Sequence, residues 1–195
     1  MSKEEGYFYG LEPARQFCDL CLALGIAEVT AFGFTADNTK RPPQQRVAFQ
    51  KACVQVADAM LSRDVSLLVV GNSESPMFPP ELKSYTTRES TPPGKLRANL
   101  LVNYDWLWDV RQAARAPDER EPSRSSYMKA LGSASVSRID LIIRWGGRRR
   151  LSGLLPIQSV YADFFIVEEF WPDFNPEHLF SALRWYQEQD ITLGG

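Results

Sequence analysis

Apolar residues return along this chain with two periods, and the switching between them lays out the elements. Leu11 to Leu24 places Phe17, Leu20, Cys21 and Leu24 on one helical stripe. Pro13 is tolerated in the first turn and Gly25 supplies the stop, so the segment predicts a helix. Glu28 to Phe34 is an apolar run with β-branched residues at its start and predicts a buried strand. Thr35 to Pro43 is a polar loop closed by Pro42 and Pro43. Gln44 to Ser62 carries Val47, Val54, Ala57 and Leu61 at helical spacing, and Val65 to Val70 is a strand that ends at Gly71. Pro79 to Glu89 is a weaker helical segment. Leu96 to Asn103 predicts a strand and Asp105 to Ala116 a helix. The stretch from Ala116 to Ser126 is low in hydrophobicity and carries Pro117 and Pro122, which predicts a mobile loop. A short helix over Ser126 to Leu131 follows, then a strand from Ile139 to Arg144, the Gly-Arg loop Trp145 to Gly153, and a strand from Phe164 to Val167. Asn175 as N-cap and Pro176 at the first helical position open a last helix that runs to about Gln189.

Strands alternate with helices, and most strands are unbroken apolar runs. That pattern predicts an α/β fold, a single domain over 1–195 with a mainly parallel central sheet and helices on both faces. A length of 195 residues suits one domain and is enough to bury a core without a disulfide or metal staple. In such sheets ligands collect outside the carboxyl ends of the strands. Three polar segments begin there: Thr35 to Arg41, Asn103 to Trp106, and Arg144 to Ser152. No P-loop and no Gly-x-Gly-x-x-Gly accompanies them, so nucleotide binding has no motif support.

Composition removes several functions. The one histidine, His178, excludes a multi-histidine metal site within one chain. Cys18, Cys21 and Cys53 are too few for a disulfide framework, and the helical stripe makes Cys18 and Cys21 core thiols rather than a redox pair. Reduced thiols and a polar, acidic N-terminus without a signal peptide fit a cytoplasmic protein. A formal charge of −2 argues against nucleic acid as a partner. The charge is nonetheless uneven. Arg138 to Arg150 holds five arginines and one acid, whereas Asp163 to the end holds seven acids and Arg184 as its single base.

Candidate chemistry concentrates in that basic stretch. In Arg144-Trp-Gly-Gly-Arg-Arg-Arg-Leu-Ser152, two glycines allow a tight turn, four guanidinium forks suit phosphate oxygens, and Ser152 adds a hydroxyl donor. The segment reads as a diphosphate cradle or as a solvated basic loop. Arg144 and Arg150 are its best binding candidates, because Arg148 and Arg149 could equally point to water. Asp163 reads as a Mg²⁺ ligand beside bound phosphates, as a surface acid, or as an arginine partner. Asn38 and Arg41 lie on a strand-end loop that binds or simply turns. His178 reads as an exposed or capping residue, and Trp171-Pro-Asp-Phe174 as a core plug.

The block from Asp140 through Arg144-Trp-Gly-Gly-Arg-Arg-Arg-Leu-Ser152 to Tyr161-Ala-Asp163 and Trp171-Pro-Asp-Phe174 resembles the cis-prenyltransferase (undecaprenyl or polyprenyl diphosphate synthase) family. Gly6-Tyr-Phe-Tyr-Gly10, Leu24-Gly-Ile26, Phe34-Thr-Ala-Asp-Asn-Thr-Lys-Arg-Pro42 and Asn103-Tyr104 extend the resemblance, in order, over almost the whole chain. It implies a Mg²⁺-dependent condensation of isopentenyl diphosphate with an allylic diphosphate to give Z double bonds. It also implies a homodimer and a peripheral membrane contact for the lipid product. By position, Arg144, Arg150, Leu151 and Ser152 match the isopentenyl diphosphate site, and Asp163 the metal ligand. Asn38 matches the residue linked to proton removal. Thr35, Ala36, Asp37, Thr39 and Arg41 match the substrate loop, and Lys3 and Tyr7 the allylic diphosphate site.

The departures bear on activity. The family opens with a strand and an Asp-Gly-Asn loop whose Asp binds Mg²⁺, and this sequence starts after that point. Either an internal Met is taken as the start, or the chain is a non-catalytic subunit or diphosphate binder that lacks the motif. The family Glu after the two glycines is Arg148, the loop Trp is Thr39, and the Gly-Gly-Arg after Asn-Tyr is Asp105-Trp-Leu107. The stretch between Arg41 and Gly71 is shorter than in long-chain synthases, which implies a shorter product.

Overall fold

The β-branched and apolar runs at Glu28–Thr35 (β1), Val65–Val70 (β2) and Leu96–Tyr104 (β3) pair in parallel, in the order β1-β3-β2. The structure is a computed structural model that describes residues 9–115 and 123–189. Central β3 is buried along most of its length and β2 along all of it, which explains why neither alternates polar and apolar residues. Leu141–Arg144 (β4) and Asp163–Ile166 (β5) form a second parallel pair rather than a continuation of the first sheet. The α/β class therefore holds, with the strands divided three and two among the described residues.

Helices cover both faces of the three-stranded sheet. Leu11–Ala23 (α1) and Pro43–Leu61 (α2) pack on the face that carries Phe34, Leu67, Val69, Leu100 and Val102. Trp108, from Trp106–Ala114 (α3), lies on the other face, with Leu68, Val70, Leu101 and Tyr104. Arg124–Ala130 (α4) packs against α3, and Pro176–Gln187 (α5) reaches α1, β4 and β5. Cys18, Cys21 and Cys53 are buried and unbridged in the α1–α2 core. Burial pushes the Cys21 and Cys53 thiols up to about 12, which keeps them protonated and inert at neutral pH.

Two segments differ from the sequence pattern. The predicted helix over 79–89 is a pair of 3-10 turns, Pro80–Tyr85 and Arg88–Ser90. Thr86 Oγ1 donates to the Lys83 carbonyl, in competition with the next helical turn, and Arg88 turns inward to donate to the Ser66 carbonyl and the Asn99 side chain. The polar loop after β1 likewise winds into a 3-10 turn, Ala36–Lys40. Of the predicted loop over Ala116 to Ser126, residues 116–122 lie outside the described residues.

Glu28 ties the amino end of this sheet together. Its carboxylate accepts from Asn99 Nδ2 at 2.7 Å, from Ser137 N at 3.1 Å and from Ser137 Oγ at 2.7 Å, and faces Arg97 at 3.3 Å. Burial alone would raise its pKa, but the bonds from Asn99 and Ser137 and the charge of Arg97 together hold it below the ordinary value. A lowered folded pKa gives stability that is present above the unfolded pKa and lost as pH falls through the folded one. Between about pH 5 and pH 3, wild-type stability should therefore fall more steeply than that of Glu28→Gln. Denaturant unfolding at several pH values checks this; parallel pH profiles would show that Glu28 titrates alike in both states.

Candidate functional site

β4 delivers Arg144 to its carboxyl end, and the chain then turns at Gly146 (φ 76°) and Gly147 (φ 64°), a left-handed pair that glycine adopts without strain. The glycine N–H groups are not left for a ligand. Gly146 N donates to the Glu169 carbonyl at 2.6 Å and Gly147 N to the Val167 carbonyl at 3.0 Å, which stitches the turn to the segment after β5. Trp145 anchors the start of the loop. Its ring meets Trp171 edge-on at 4.8 Å and lies near Phe17 and Phe174, and its Nε1 donates to His178 Nδ1 at 3.3 Å. His178 also closes the capping box with Asn175, so it is a capping residue inside this aromatic plug. Leu154 and Leu155 fix the other end of the loop by burial beside Tyr104.

Between these anchors Arg148, Arg149, Arg150 and Ser152 are exposed. Burial lowers the Arg144 pKa, and the charges of Arg150 and Arg148 lower it further. Arg148 and Arg150 follow Arg144 around the same turn, and their like charge favours an arriving anion. Arg149 turns aside, 3.3 Å from Glu168. Ser152 (φ 53°) and buried Leu155 (φ 35°) both hold left-handed backbone on either side of Gly153, strain of the kind found where a side chain is aimed for function.

The second segment closes β1. Thr35 caps the Ala36–Lys40 turn, and Asn38 Oδ1 accepts from both Thr35 N and Thr35 Oγ1 at 2.9 Å. What Asn38 can offer beyond the turn is therefore its Nδ2 donor pair, not a base. Asp37 is held by Lys40 at 2.8 Å, Ala36 and Thr39 belong to the turn, and Arg41 lies over the Phe49 ring at 5.1 Å. Leu151 packs beside the buried cluster of Leu154 and Leu155. Lys3 and Tyr7 lie outside the described residues.

Asp163 stands at the other end of the β4–β5 pair from Arg144. It opens β5 opposite Leu141, whereas Arg144 pairs with Ile166, three residues further along the parallel register. That is about 10 Å of strand, with the arginine loop running on from the far end. The Asp163 and Asp140 charges instead act on Tyr186, whose phenol is raised first by burial and then by these two acids. Among the described residues no group of three or more His, Cys, Asp or Glu side chains could hold a metal.

The sequence placed Trp106 at the end of a strand-end segment but gave it no role; it is the first residue of α3, and its indole lies against Gly153. Its only signal was a bulky aromatic at a strand end in place of a small residue. This contact brings the arginine loop to the carboxyl edge of β3, and Asn38 stands at the carboxyl end of β1.

A parallel α/β protein that gathers unneutralised arginines at the carboxyl end of a strand is built to bind a phosphorylated ligand. The comparisons narrow that class. The family model for undecaprenyl diphosphate synthases matches residues 1–194, and the chain belongs to this family, whose members are cis-prenyltransferase enzymes. The isoprenyl transferase of Chlorobaculum tepidum is 28% identical, over 99% of this chain and 78% of its own length. The ditrans,polycis-undecaprenyl-diphosphate synthase ((2E,6E)-farnesyl-diphosphate specific) of Aliivibrio fischeri is 26% identical, over 97% of this chain and 79% of its length. The crystal structure of lavandulyl diphosphate synthase from Lavandula x intermedia, in complex with dimethylallyl diphosphate, superposes with a TM-score of 0.85 at 19% identity, covering 100% of this chain and 90% of that one. Among the described residues no helix is long and apolar enough to cross a membrane.

Proposed function

We propose that this chain condenses isopentenyl diphosphate with an allylic prenyl diphosphate to give a Z-polyprenyl diphosphate. The observation that carries this reading is the loop at the carboxyl end of β4, which places Arg144 at the strand end and exposes Arg148 and Arg150 just beyond it. Arg144 and Arg150 bind the isopentenyl diphosphate headgroup bidentately, and Ser152 Oγ donates to the same group. The Thr35–Arg41 turn serves the allylic substrate, with Asn38 Nδ2 donating to a diphosphate oxygen. As the allylic C–O bond breaks and the new C–C bond forms, the donors of the Thr35–Arg41 turn stabilise charge on the leaving allylic diphosphate, while the arginine loop holds the isopentenyl diphosphate in place. The resulting cation sheds one proton to the departed diphosphate. Asn38 Oδ1, occupied by Thr35, does not take it, so Asn38 acts by orienting.

Mg²⁺ belongs to this reading through the family; Asp163 would hold the ion, which would neutralise diphosphate charge. A homodimer is supported by Val160 and Tyr161, an exposed apolar pair just before β5. A cytoplasmic location with peripheral membrane contact suits a phosphorylated substrate and a lipid product.

The test incubates the chain with labelled isopentenyl diphosphate, Mg²⁺, and either dimethylallyl or farnesyl diphosphate. A Z-configured product is expected. The second reading, a diphosphate-binding partner subunit, is favoured by Arg148, which stands where the family carries a Glu after the two glycines. Isopentenyl diphosphate binding without turnover would select it, and no binding at all would sink both.

A further inference from the structure

Resting on the diphosphate reading above, we propose that Trp106 is the specificity residue that reads the hydrocarbon part of isopentenyl diphosphate. The other tryptophans are packed against aromatic partners: Trp108 on Tyr104, Trp145 on Trp171, and Trp185 on Phe165. Trp106 has no ring partner among the described residues and is 49% exposed. It is nonetheless fixed. Asp105 caps α3 by accepting from Leu107 N at 3.0 Å, and a Cβ placed on Gly153 would lie 3.2 Å from Trp106 Cδ1. The indole therefore rests one edge on the Ser152–Gly153 turn and leaves much of its surface open.

The chemistry of the ligand calls for such a surface. A short alkenyl diphosphate joins a polyanionic head to five carbons, so both ends must be met within a few ångströms. The arginine loop offers only charged or polar groups from Arg148 to Arg150 and at Ser152. The Trp106 indole is the large exposed apolar surface in contact with the turn that carries Ser152. A flat ring beside a phosphate cradle favours an alkenyl diphosphate over a bare one, since it adds apolar burial without adding charge.

The experiment compares two probes on the full chain, isopentenyl diphosphate and inorganic diphosphate, by calorimetric titration. Trp106→Ala and Trp106→Gln should each weaken isopentenyl diphosphate about tenfold and leave inorganic diphosphate within about twofold. Trp106→Phe should keep most of the isopentenyl diphosphate affinity. A merely structural role, support of the Ser152 turn, would weaken both probes in parallel, and that result overturns the proposal. Unchanged binding of both probes overturns it as well. The diphosphate reading fails separately, when the wild-type chain binds neither probe.

Discussion

Arg144→Ala is expected to weaken isopentenyl diphosphate binding by about 2–3 kcal/mol, roughly 30- to 150-fold, while the ligand-free protein becomes no less stable. The two signs share one cause. The Arg144 guanidinium is partly buried beside Arg150 and Arg148, so in the empty site its charge is opposed by desolvation and by like charge. Its removal relieves the free protein and strips the ligand of a charge-assisted pair. Arg150→Ala should cost about 2 kcal/mol in affinity, because its fork stands on the open side of the same cluster. Arg149→Ala should change affinity less than about twofold, since Arg149 is drawn away to Glu168. Calorimetric titration with thermal unfolding of each free variant checks all three. Equal losses from Arg149→Ala and Arg150→Ala would show that the loop acts only as diffuse positive charge.

Most of the element order was legible because local signals agreed with one another. Asn175 with Pro176 opens α5, and the Val65–Val70 run is a strand over the same six residues. The sequence set Arg144 and Arg150 apart from Arg148 and Arg149, but the partner that draws Arg149 aside was not legible. That partner is Glu168, far along the chain and brought opposite Arg149 only by the β4–β5 pairing. The glycine pair makes the tight turn the sequence suggests, but its N–H donors go to the carbonyls of Glu169 and Val167, which no local pattern predicts.

Asp163 and Asn38 show the same limit from the side of chemistry. Asp163 follows the arginine loop closely in sequence, which suggests a shared site. The intervening residues return the chain to the amino end of β5, so proximity along the chain becomes separation along the strand. Asn38 keeps its place at the strand end, but the Thr35 cap consumes its carbonyl oxygen and leaves it a donor. Residue type and position survive the reading from sequence; the lone pairs that remain free are settled by the turn.

The largest loss of stability is expected from Asp109→Ala, about 3–5 kcal/mol. Asp109 is 1% exposed and accepts three hydrogen bonds: from Tyr104 Oη at 2.7 Å, Ser133 Oγ at 2.6 Å and Ser133 N at 2.8 Å. Alanine would leave Tyr104 Oη and Ser133 N buried without an acceptor, each at a cost of about 1–3 kcal/mol, and would leave Ser133 Oγ only Gln158 to turn to. Burial, followed by the charge of Asp109, raises the Tyr104 phenol, so Tyr104 remains a donor at any pH where the protein is folded. Gln158 extends the network by donating to Ser133 Oγ at 2.7 Å, and its own Oε1 is buried without a partner. Asp109→Asn should therefore cost less than alanine. Tyr104 Oη can turn to accept from the new amide, and Ser133 Oγ can redirect its proton toward Gln158 Oε1. Tyr104→Phe, which removes one donor and leaves an acceptor with two bonds, should cost about 1 kcal/mol. Because Gln158 lies on the segment that returns from the arginine loop, the alanine variant should also lose diphosphate affinity as that segment loosens. Denaturant unfolding ranks the three variants, and an alanine cost below that of Tyr104→Phe would show that Asp109 does not hold the network together.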